Sequence, residues 1–129
     1  MDNQIKAYIQ NSIDIRKNIL ANELMLEQIK EISNNIVSAL KLENKILFIG
    51  NGGSASDCDH LATEFVSQFF KERHAFSAIS LTSNNALITA LSNDFGYDKA
   101  FSRQIEAIGK KGDVLIALST SGNSKNIID

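Results

Sequence analysis

The feature that most constrains this fold is a change of hydrophobic period near Lys45. Before it, apolar residues recur at helical spacing over residues 4–21 and 23–42, which predicts two amphipathic helices. After it, short apolar runs predict three strands, the first of them buried: KILFIG (45–50), FSAISL (76–81) and DVLIALS (113–119). Helical patterns lie between these strands: residues 54–71, 84–93 and 99–109. Strands that alternate with helices indicate a parallel sheet with helices on its faces, so we predict an α/β fold.

The chain length fits one domain, because 129 residues can bury a hydrophobic core. We predict a helical arm over residues 1–43 and an α/β core over residues 44–129. The last residues, SGNSKNIID, stop where a further helix begins, so we expect the domain to continue beyond Asp129. The apolar face of the first helix is widened by Ile13 and Ile15, which is typical of a subunit interface or of packing on its own domain.

The composition excludes several classes of partner. A formal net charge of -2 and few, scattered aromatic residues argue against nucleic-acid binding. The apolar runs are too short to span a bilayer, so we expect no membrane association. The single cysteine, Cys58, cannot form an internal disulfide, and a reducing cytoplasm is the simplest location.

Two polar loops follow predicted strands and should lie at the same edge of the sheet, where open α/β sheets bind ligands. The first contains Asn51, Gly52, Gly53 and Ser54, and a helix begins just after it. The second runs from Ser119 to Ser124 and has four hydroxyl groups, those of Ser119, Thr120, Ser121 and Ser124. Backbone N–H groups, hydroxyl donors and a helix N-terminus favour a phosphate. The alternative is an ordinary Ser/Thr helix cap with turn residues.

The first loop also fits a loose dinucleotide-binding fingerprint, G-x-G-x-x-A, from Gly50 to Ala55. That fingerprint needs an acidic residue near the end of the second strand to hold the ribose. The strand ends in Ser80-Leu81-Thr82-Ser83-Asn84, with no acid. The chain also lacks a G-K-[ST] triplet, so a nucleotide-hydrolysing P-loop is excluded.

His60 and Glu64 lie four residues apart on the helix after the first loop, and therefore on one face. An imidazole and a carboxylate so placed can share a metal such as zinc, and the carboxylate can serve as a general base. A helical His–Glu hydrogen bond without function is the alternative. Two ligands do not complete a zinc site, so other ligands must come from another subunit or from residues outside this sequence. Asn93 and Asp94 could hold sugar hydroxyls or form a polar turn between helices.

The stretches GNGGSASDCDH, NDFGYDKAFSRQIEAIG and GDVLIALSTSGNS, together with Glu64, resemble the phosphoheptose isomerases of the sugar isomerase (SIS) domain superfamily. The resemblance runs in unbroken order from about Lys45 to Asn126. It implies a three-layer α/β/α sandwich around a parallel sheet, one domain over residues 1–129, and a homotetramer. It implies conversion of sedoheptulose 7-phosphate to D-glycero-D-manno-heptose 7-phosphate. That reaction begins the synthesis of ADP- or GDP-heptose for lipopolysaccharide, capsule or other surface glycans.

The resemblance also assigns roles to residues. His60 and Glu64 match two zinc ligands and the catalytic pair, with Glu64 as the base. Residues that match substrate-contacting positions are Asn51, Gly52, Gly53, Ser54, Glu64, Asn93 and Asp94. Residues that match the phosphate loop are Ser119, Thr120, Ser121 and Ser124.

Two departures from the family pattern affect these expectations. The family's remaining zinc ligands, a Gln and a His on a late helix, have no counterpart before Asp129. Gln68 stands where the family often carries an arginine, which bears on substrate binding and on the identity of the sugar. A rival interpretation is a non-catalytic SIS domain that senses sugar phosphates or associates with a replication initiator. The presence of both His60 and Glu64 favours the enzyme, because a sensor needs neither.

Overall fold

A computed structural model describes residues 2–129, which divide into two compact units, residues 2–35 and 36–129. The helices and strands follow in this order: α1 (Asp2–Leu20), α2 (Glu23–Lys41), β1 (Ile46–Gly50), α3 (Gly53–Val66), β2 (Ala78–Ser80), α4 (Asn85–Phe95), a 3-10 helix (Tyr97–Lys99), α5 (Ser102–Ile108), β3 (Val114–Leu118) and α6 (Lys125–Ile128). Among the described residues, none of the helices is both long and apolar enough to cross a membrane.

The first unit consists of α1 and most of α2, and both helices were predicted from the sequence. Asn22 caps the start of α2, because its side-chain oxygen accepts a hydrogen bond from the Met25 N–H at 3.1 Å. None of the described residues of α1 is buried. All of its isoleucines except Ile19 are exposed, with Ile9 at 57% exposure.

The second unit is built on a parallel three-stranded sheet in the order β2-β1-β3. The central strand β1 is buried along its whole length, which explains its uninterrupted apolar sequence. Its side chains alternate between the two faces of the sheet. Ile46 and Phe48 join one hydrophobic cluster with residues of α3, and Leu47 and Ile49 join another with Phe101 and residues of α5. Helices therefore cover both faces, as the predicted α/β sandwich requires.

A partly buried ion pair joins the amino ends of β1 and β3. Lys45 donates to Asp113 twice, from its backbone N–H at 3.0 Å and from Nζ at 2.5 Å. The Lys110 N–H donates to the same carboxylate at 2.7 Å. Burial alone would raise the pKa of Asp113, but these hydrogen bonds and the Lys45 charge outweigh it and lower the pKa from 3.8 to about 2.

The predicted helix over residues 54–71 is wrong at its end, because α3 stops at Val66. The carbonyl oxygens of Glu64 and Phe65 would bind the next turn in a longer helix. Instead Arg73 donates to Glu64 O at 2.6 Å and to Phe65 O at 2.9 Å, and the Phe76 N–H also donates to Phe65 O. The chain that returns toward β2 therefore ends the helix, although the apolar spacing continues through Phe69 and Phe70.

The predicted helix over residues 99–109 is also shorter than expected. Its first residue belongs to the 3-10 helix, whose hydrogen bonds run from Lys99 N–H to Gly96 O and from Ala100 N–H to Tyr97 O. The α-helix begins only at Ser102, after the buried Phe101. Gly109 ends α5 as predicted, but in an extended conformation rather than the left-handed one that is common at helix ends.

Candidate functional site

The two polar loops lie side by side at the carboxyl edge of the sheet. Gly50, the last residue of β1, pairs in register with Leu118, the last residue of β3. The loops that begin at Asn51 and Ser119 therefore leave neighbouring strands at the same level. This arrangement was expected from the sequence, because parallel strands place their carboxyl ends at one edge.

The first loop presents unused backbone donors. Gly52 adopts a positive φ of 56°, and α3 begins directly after it. The hydrogen bonds of this turn begin at the Ala55 N–H, so the N–H groups of Gly53 and Ser54 have no acceptor among residues 2–129. They lie at the N-terminus of a 14-residue helix, where the helix dipole favours an anion.

The second loop presents hydroxyl groups. The Gly122 N–H donates to Ser119 Oγ at 3.1 Å, and the Asn123 N–H donates to Ser121 Oγ at 3.2 Å. Each of these serine oxygens thus accepts a bond within the loop and keeps its own proton for a ligand. Ser124 precedes α6, but its side chain makes no capping hydrogen bond. Within the described residues, the Ser124 hydroxyl therefore does not act as an ordinary helix cap.

A hydrogen-bonded group of side chains joins the two loops. Asn51 and Asn126 exchange two amide hydrogen bonds, at 2.8 and 2.9 Å, across 75 positions of sequence. The hydroxyl of Tyr97 donates to Asn51 Oδ1 at 2.6 Å. Neither Asn126 nor Tyr97 was predicted, because no local pattern shows that two distant amides meet.

His60 and Glu64 occupy one face of α3, as their spacing predicts. His60 Nε2 lies 3.7 Å from Glu64 Oε1, which is too long for a hydrogen bond. Both side chains line a cavity of about 350 Å³, with walls formed by Leu61, Phe65, Phe69, Arg73 and Phe76. The helical His–Glu hydrogen bond that the sequence allowed is therefore absent from the described structure.

Cys58 occupies the opposite side of α3 and packs in the first hydrophobic cluster. Burial, together with the nearby negative charges of Asp59 and Asp57, raises the pKa of its thiol from 9.0 to about 11. The thiol is therefore protonated at neutral pH and is neither a nucleophile nor a ready metal ligand.

The pair His60 and Glu64 fits two positions of a metal site but does not complete one. Two ligand atoms about 2.1 Å from one tetrahedral ion are themselves about 3.4 Å apart, close to the 3.7 Å observed. Imidazole nitrogen and carboxylate oxygen are suitable zinc ligands. Within residues 2–129, however, no group of three His, Cys, Asp or Glu side chains is close enough to hold an ion.

Asn93 and Asp94 lie in the last turn of α4, and both are exposed. Asn93 Nδ2 donates to Asp94 Oδ1 at 3.0 Å, so these two side chains are hydrogen-bonded to each other. The same segment approaches the first loop through Tyr97, which bonds Asn51. Their predicted contact with substrate stays a prediction.

A second cavity, of about 450 Å³, lies on the β2 side of α3. At its edge Thr82 Oγ1 is 2.7 Å from both Asp59 Oδ1 and Ser80 Oγ. This link between α3 and the end of β2 was not predicted from the sequence.

Comparison with known proteins identifies the family. Residues 7–129 match the SIS domain family. The chain belongs to the SIS domain family. It is 50% identical over 127 residues to a phosphoheptose isomerase of Clostridium acetobutylicum, covering 98% of this chain and 65% of that protein. It is 45% identical over 128 residues to a phosphoheptose isomerase of Aneurinibacillus thermoaerophilus, with 99% and 65% covered.

Solved structures of phosphoheptose isomerases share the fold. A phosphoheptose isomerase from Neisseria gonorrhoeae superposes with a TM-score of 0.88 at 35% identity. One from Francisella tularensis superposes with a TM-score of 0.90 at 33% identity. Each comparison covers 98% of this chain and 65% of the other. The chain thus spans about two thirds of the length of these relatives, and the three-layer fold expected for the family is confirmed.

Proposed function

We propose that this SIS domain belongs to a sugar-phosphate isomerase that converts sedoheptulose 7-phosphate to D-glycero-D-manno-heptose 7-phosphate. One observation carries the proposal. Free N–H groups of the first loop and hydroxyl groups of the second lie at one edge of the sheet, and the first loop leads directly into the helix that bears His60 and Glu64. The choice of a heptose phosphate as substrate is supported by the relatives named phosphoheptose isomerase.

Phosphate binding needs donors without competing partners. The N–H groups of Gly53 and Ser54 and the hydroxyls of Ser119, Thr120, Ser121 and Ser124 provide them in this proposal. Such donors are strong toward a dianion, because charge-assisted hydrogen bonds exceed neutral ones. Asn51, Gly52, Asn93 and Asp94 would contact the sugar chain beyond the phosphate.

Glu64 is the proposed base. Its side chain is partly buried in the aromatic-walled cavity, whereas His60 is 73% exposed. The Glu64 carboxylate removes the proton from the carbon beside the carbonyl, and the electron pair forms the enediol. The carboxylic acid then returns the proton to the neighbouring carbon, while a proton passes between the two oxygens. General base catalysis of this kind contributes roughly 10²–10⁴-fold.

Zinc is the proposed cofactor, with His60 and Glu64 as two of its ligands and the others from residues outside 2–129 or from another copy. When bound, the ion would polarise the substrate oxygens as a Lewis acid. The same proposal includes a cytoplasmic homotetramer and a role at the start of ADP- or GDP-heptose synthesis for lipopolysaccharide or capsule. The exposed isoleucine face of α1 supports the assembly.

The experiment compares the product of the complete gene with its Glu64→Gln variant on sedoheptulose 7-phosphate. Turnover should fall at least about 100-fold, while sugar-phosphate binding and the melting temperature remain close to wild type. Glu31→Gln, an exposed glutamate on α2, is the matched control and should leave turnover unchanged. Full activity of Glu64→Gln would exclude it as the base.

A non-catalytic sugar-phosphate-binding protein is the second candidate. It needs only the phosphate-binding donors, and the free N–H groups and hydroxyls of the two loops lie at one sheet edge. Binding of sedoheptulose 7-phosphate by the complete gene product, with no turnover when zinc is supplied, would support this candidate against the enzyme.

A further inference from the structure

We infer that Asn126 and Tyr97 are positioning residues, which clamp Asn51 and so hold the two loops at the spacing a phosphate requires. The choice of phosphate as the ligand rests on the proposed function, but the coupling between the two loops does not. We call Asn51, Tyr97 and Asn126 the amide clamp.

The geometry of the amide clamp restrains Asn51 from two sides. Asn51 and Asn126 exchange hydrogen bonds at 2.8 and 2.9 Å, and Asn126 is only 5% exposed. Tyr97 donates a third bond, at 2.6 Å, to the oxygen that already accepts from Asn126. Three bonds on one amide leave its rotamer little freedom, and the burial of Asn126 protects the pair from competing water.

The amide clamp stands directly beside the proposed donors. Asn51 precedes Gly52 and the free N–H groups of the first loop, and Asn126 follows Ser124 by two residues. Sheet pairing ends at Gly50 and Leu118, so backbone hydrogen bonds no longer fix the strands beyond that level. The amide clamp is therefore the recorded side-chain link that sets the distance between the two groups of donors.

Two ion pairs also connect the 3-10 helix with α6, but they contribute little to this spacing. Lys99 Nζ lies 3.3 Å from Asp129, and Lys125 Nζ lies 4.0 Å from Asp98. All four side chains are at least 43% exposed. Exposed pairs of this kind are weak and are screened by salt.

The first test is hydrogen exchange in the complete gene product. Exchange is followed at the N–H groups that are hydrogen-bonded in each loop: Ala55, Ser56, Gly122 and Asn123. Tyr97→Phe removes one hydroxyl and keeps the ring. Losing one hydrogen bond should speed exchange about threefold to tenfold in both loops. Tyr8→Phe, an exposed tyrosine on α1, is the matched control and should change neither loop.

The second readout is the affinity for inorganic phosphate and the kinetics of the sugar phosphate. For Tyr97→Phe we expect phosphate affinity to fall about threefold to tenfold, with KM raised by a similar factor and kcat within about twofold. Asn126→Asp retains the acceptor for Asn51 but removes the donor to it. It should weaken phosphate binding at least as much as Tyr97→Phe.

The outcomes separate the amide clamp from the proposed function. Unchanged exchange at Gly122 and Asn123 in both variants would overturn the amide clamp, and so would faster exchange with unchanged phosphate affinity. Faster exchange in both loops of a protein that binds neither phosphate nor sugar phosphate would leave the coupling standing and reject the proposed function. A fall in kcat alone would also overturn a positioning role.

Discussion

At the scale of single residues, the packing at Gly50 leaves no room for a side chain. A Cβ atom at this position would lie 2.8 Å from the backbone of Ser54 and 3.1 Å from Cys58 Sγ. The first turn of α3 therefore packs directly on the last residue of β1. The sequence identifies the glycine-rich turn, but only the structure shows which glycine is needed for space.

Gly50→Ala should destabilise the protein by about 1–3 kcal/mol, because the helix start must shift away from the strand. Gly53→Ala is the matched comparison. A Cβ at Gly53 meets no atom within 4 Å, so that variant should be as stable as wild type or slightly more stable, since alanine favours the helix. Urea denaturation measures both, and equal losses of stability would contradict this account.

At the scale of elements, Arg73 decides where α3 ends. Its guanidinium binds the carbonyl oxygens of Glu64 and Phe65, and it lies 4.3 Å from the centre of the Phe76 ring. These contacts hold the turn of helix that carries the proposed base. Arginine suits the position because its fork of donors reaches two carbonyls at once.

Arg73→Ala should lower the free energy of unfolding by about 1–3 kcal/mol, because the two carbonyls lose a charged donor. Arg103→Ala provides the control, since Arg103 also lies over an aromatic ring, that of Phe95, at 4.4 Å, yet caps no helix carbonyl in the recorded bonds. Thermal and urea unfolding should show the larger loss for Arg73. Equal losses would assign the effect to the aromatic contact alone.

The Lys45–Asp113 pair predicts a pH dependence of stability. The pKa of Asp113 is lowered from 3.8 to about 2 in the folded protein. A carboxylate with a lowered pKa stabilises the fold when ionised. That contribution, on the order of 2 kcal/mol, is complete above about pH 5 and is lost as the pH falls through 3.8 toward 2.

Asp113→Asn should therefore be less stable than wild type at neutral pH, and the difference should shrink between about pH 4 and pH 2. Urea denaturation across this range measures the difference, and comparison with the variant cancels the titration of other carboxylates. A stability difference that stays constant down to pH 2 would show that Asp113 is not held ionised by Lys45.

Much of the order of helices and strands could be predicted, because strands and helices differ in the spacing of their apolar residues. The exact ends of the helices could not be predicted, because residues outside each helix determine where it stops. The spacing of Phe69 and Phe70 continues the pattern of α3, yet Arg73 and Phe76 bind the carbonyls that would extend it. Local hydrogen bonds likewise placed a 3-10 turn where the sequence predicted the start of a helix.

For the candidate site, sequence patterns predicted the two loops and the shared face of His60 and Glu64, since both follow from local spacing. The amide clamp was missed, because Asn51 and Asn126 meet only through the parallel pairing of β1 and β3. The cavity beside Glu64 was missed for a similar reason. Its aromatic wall includes Phe76, which lies outside α3.

At the scale of the whole molecule, the exposed face of α1 supports the proposed homotetramer. Ile9→Glu should shift the assembly toward smaller species, because a charge buried in an apolar interface is costly. Asn18→Glu is the control, since position 18 is nine residues from Ile9 and faces the other side of the helix. Sedimentation velocity measures both, and an unchanged tetramer in Ile9→Glu would remove this face from the interface.

We propose that this site isomerises a sugar phosphate by proton transfer through Glu64. The most direct test is to run the complete gene product with sedoheptulose 7-phosphate and zinc in D₂O. The account predicts heptose 7-phosphate with deuterium at C2, because the proton held by Glu64 exchanges with solvent, and no labelled product from Glu64→Gln. Labelled product from the variant at the wild-type rate would contradict it.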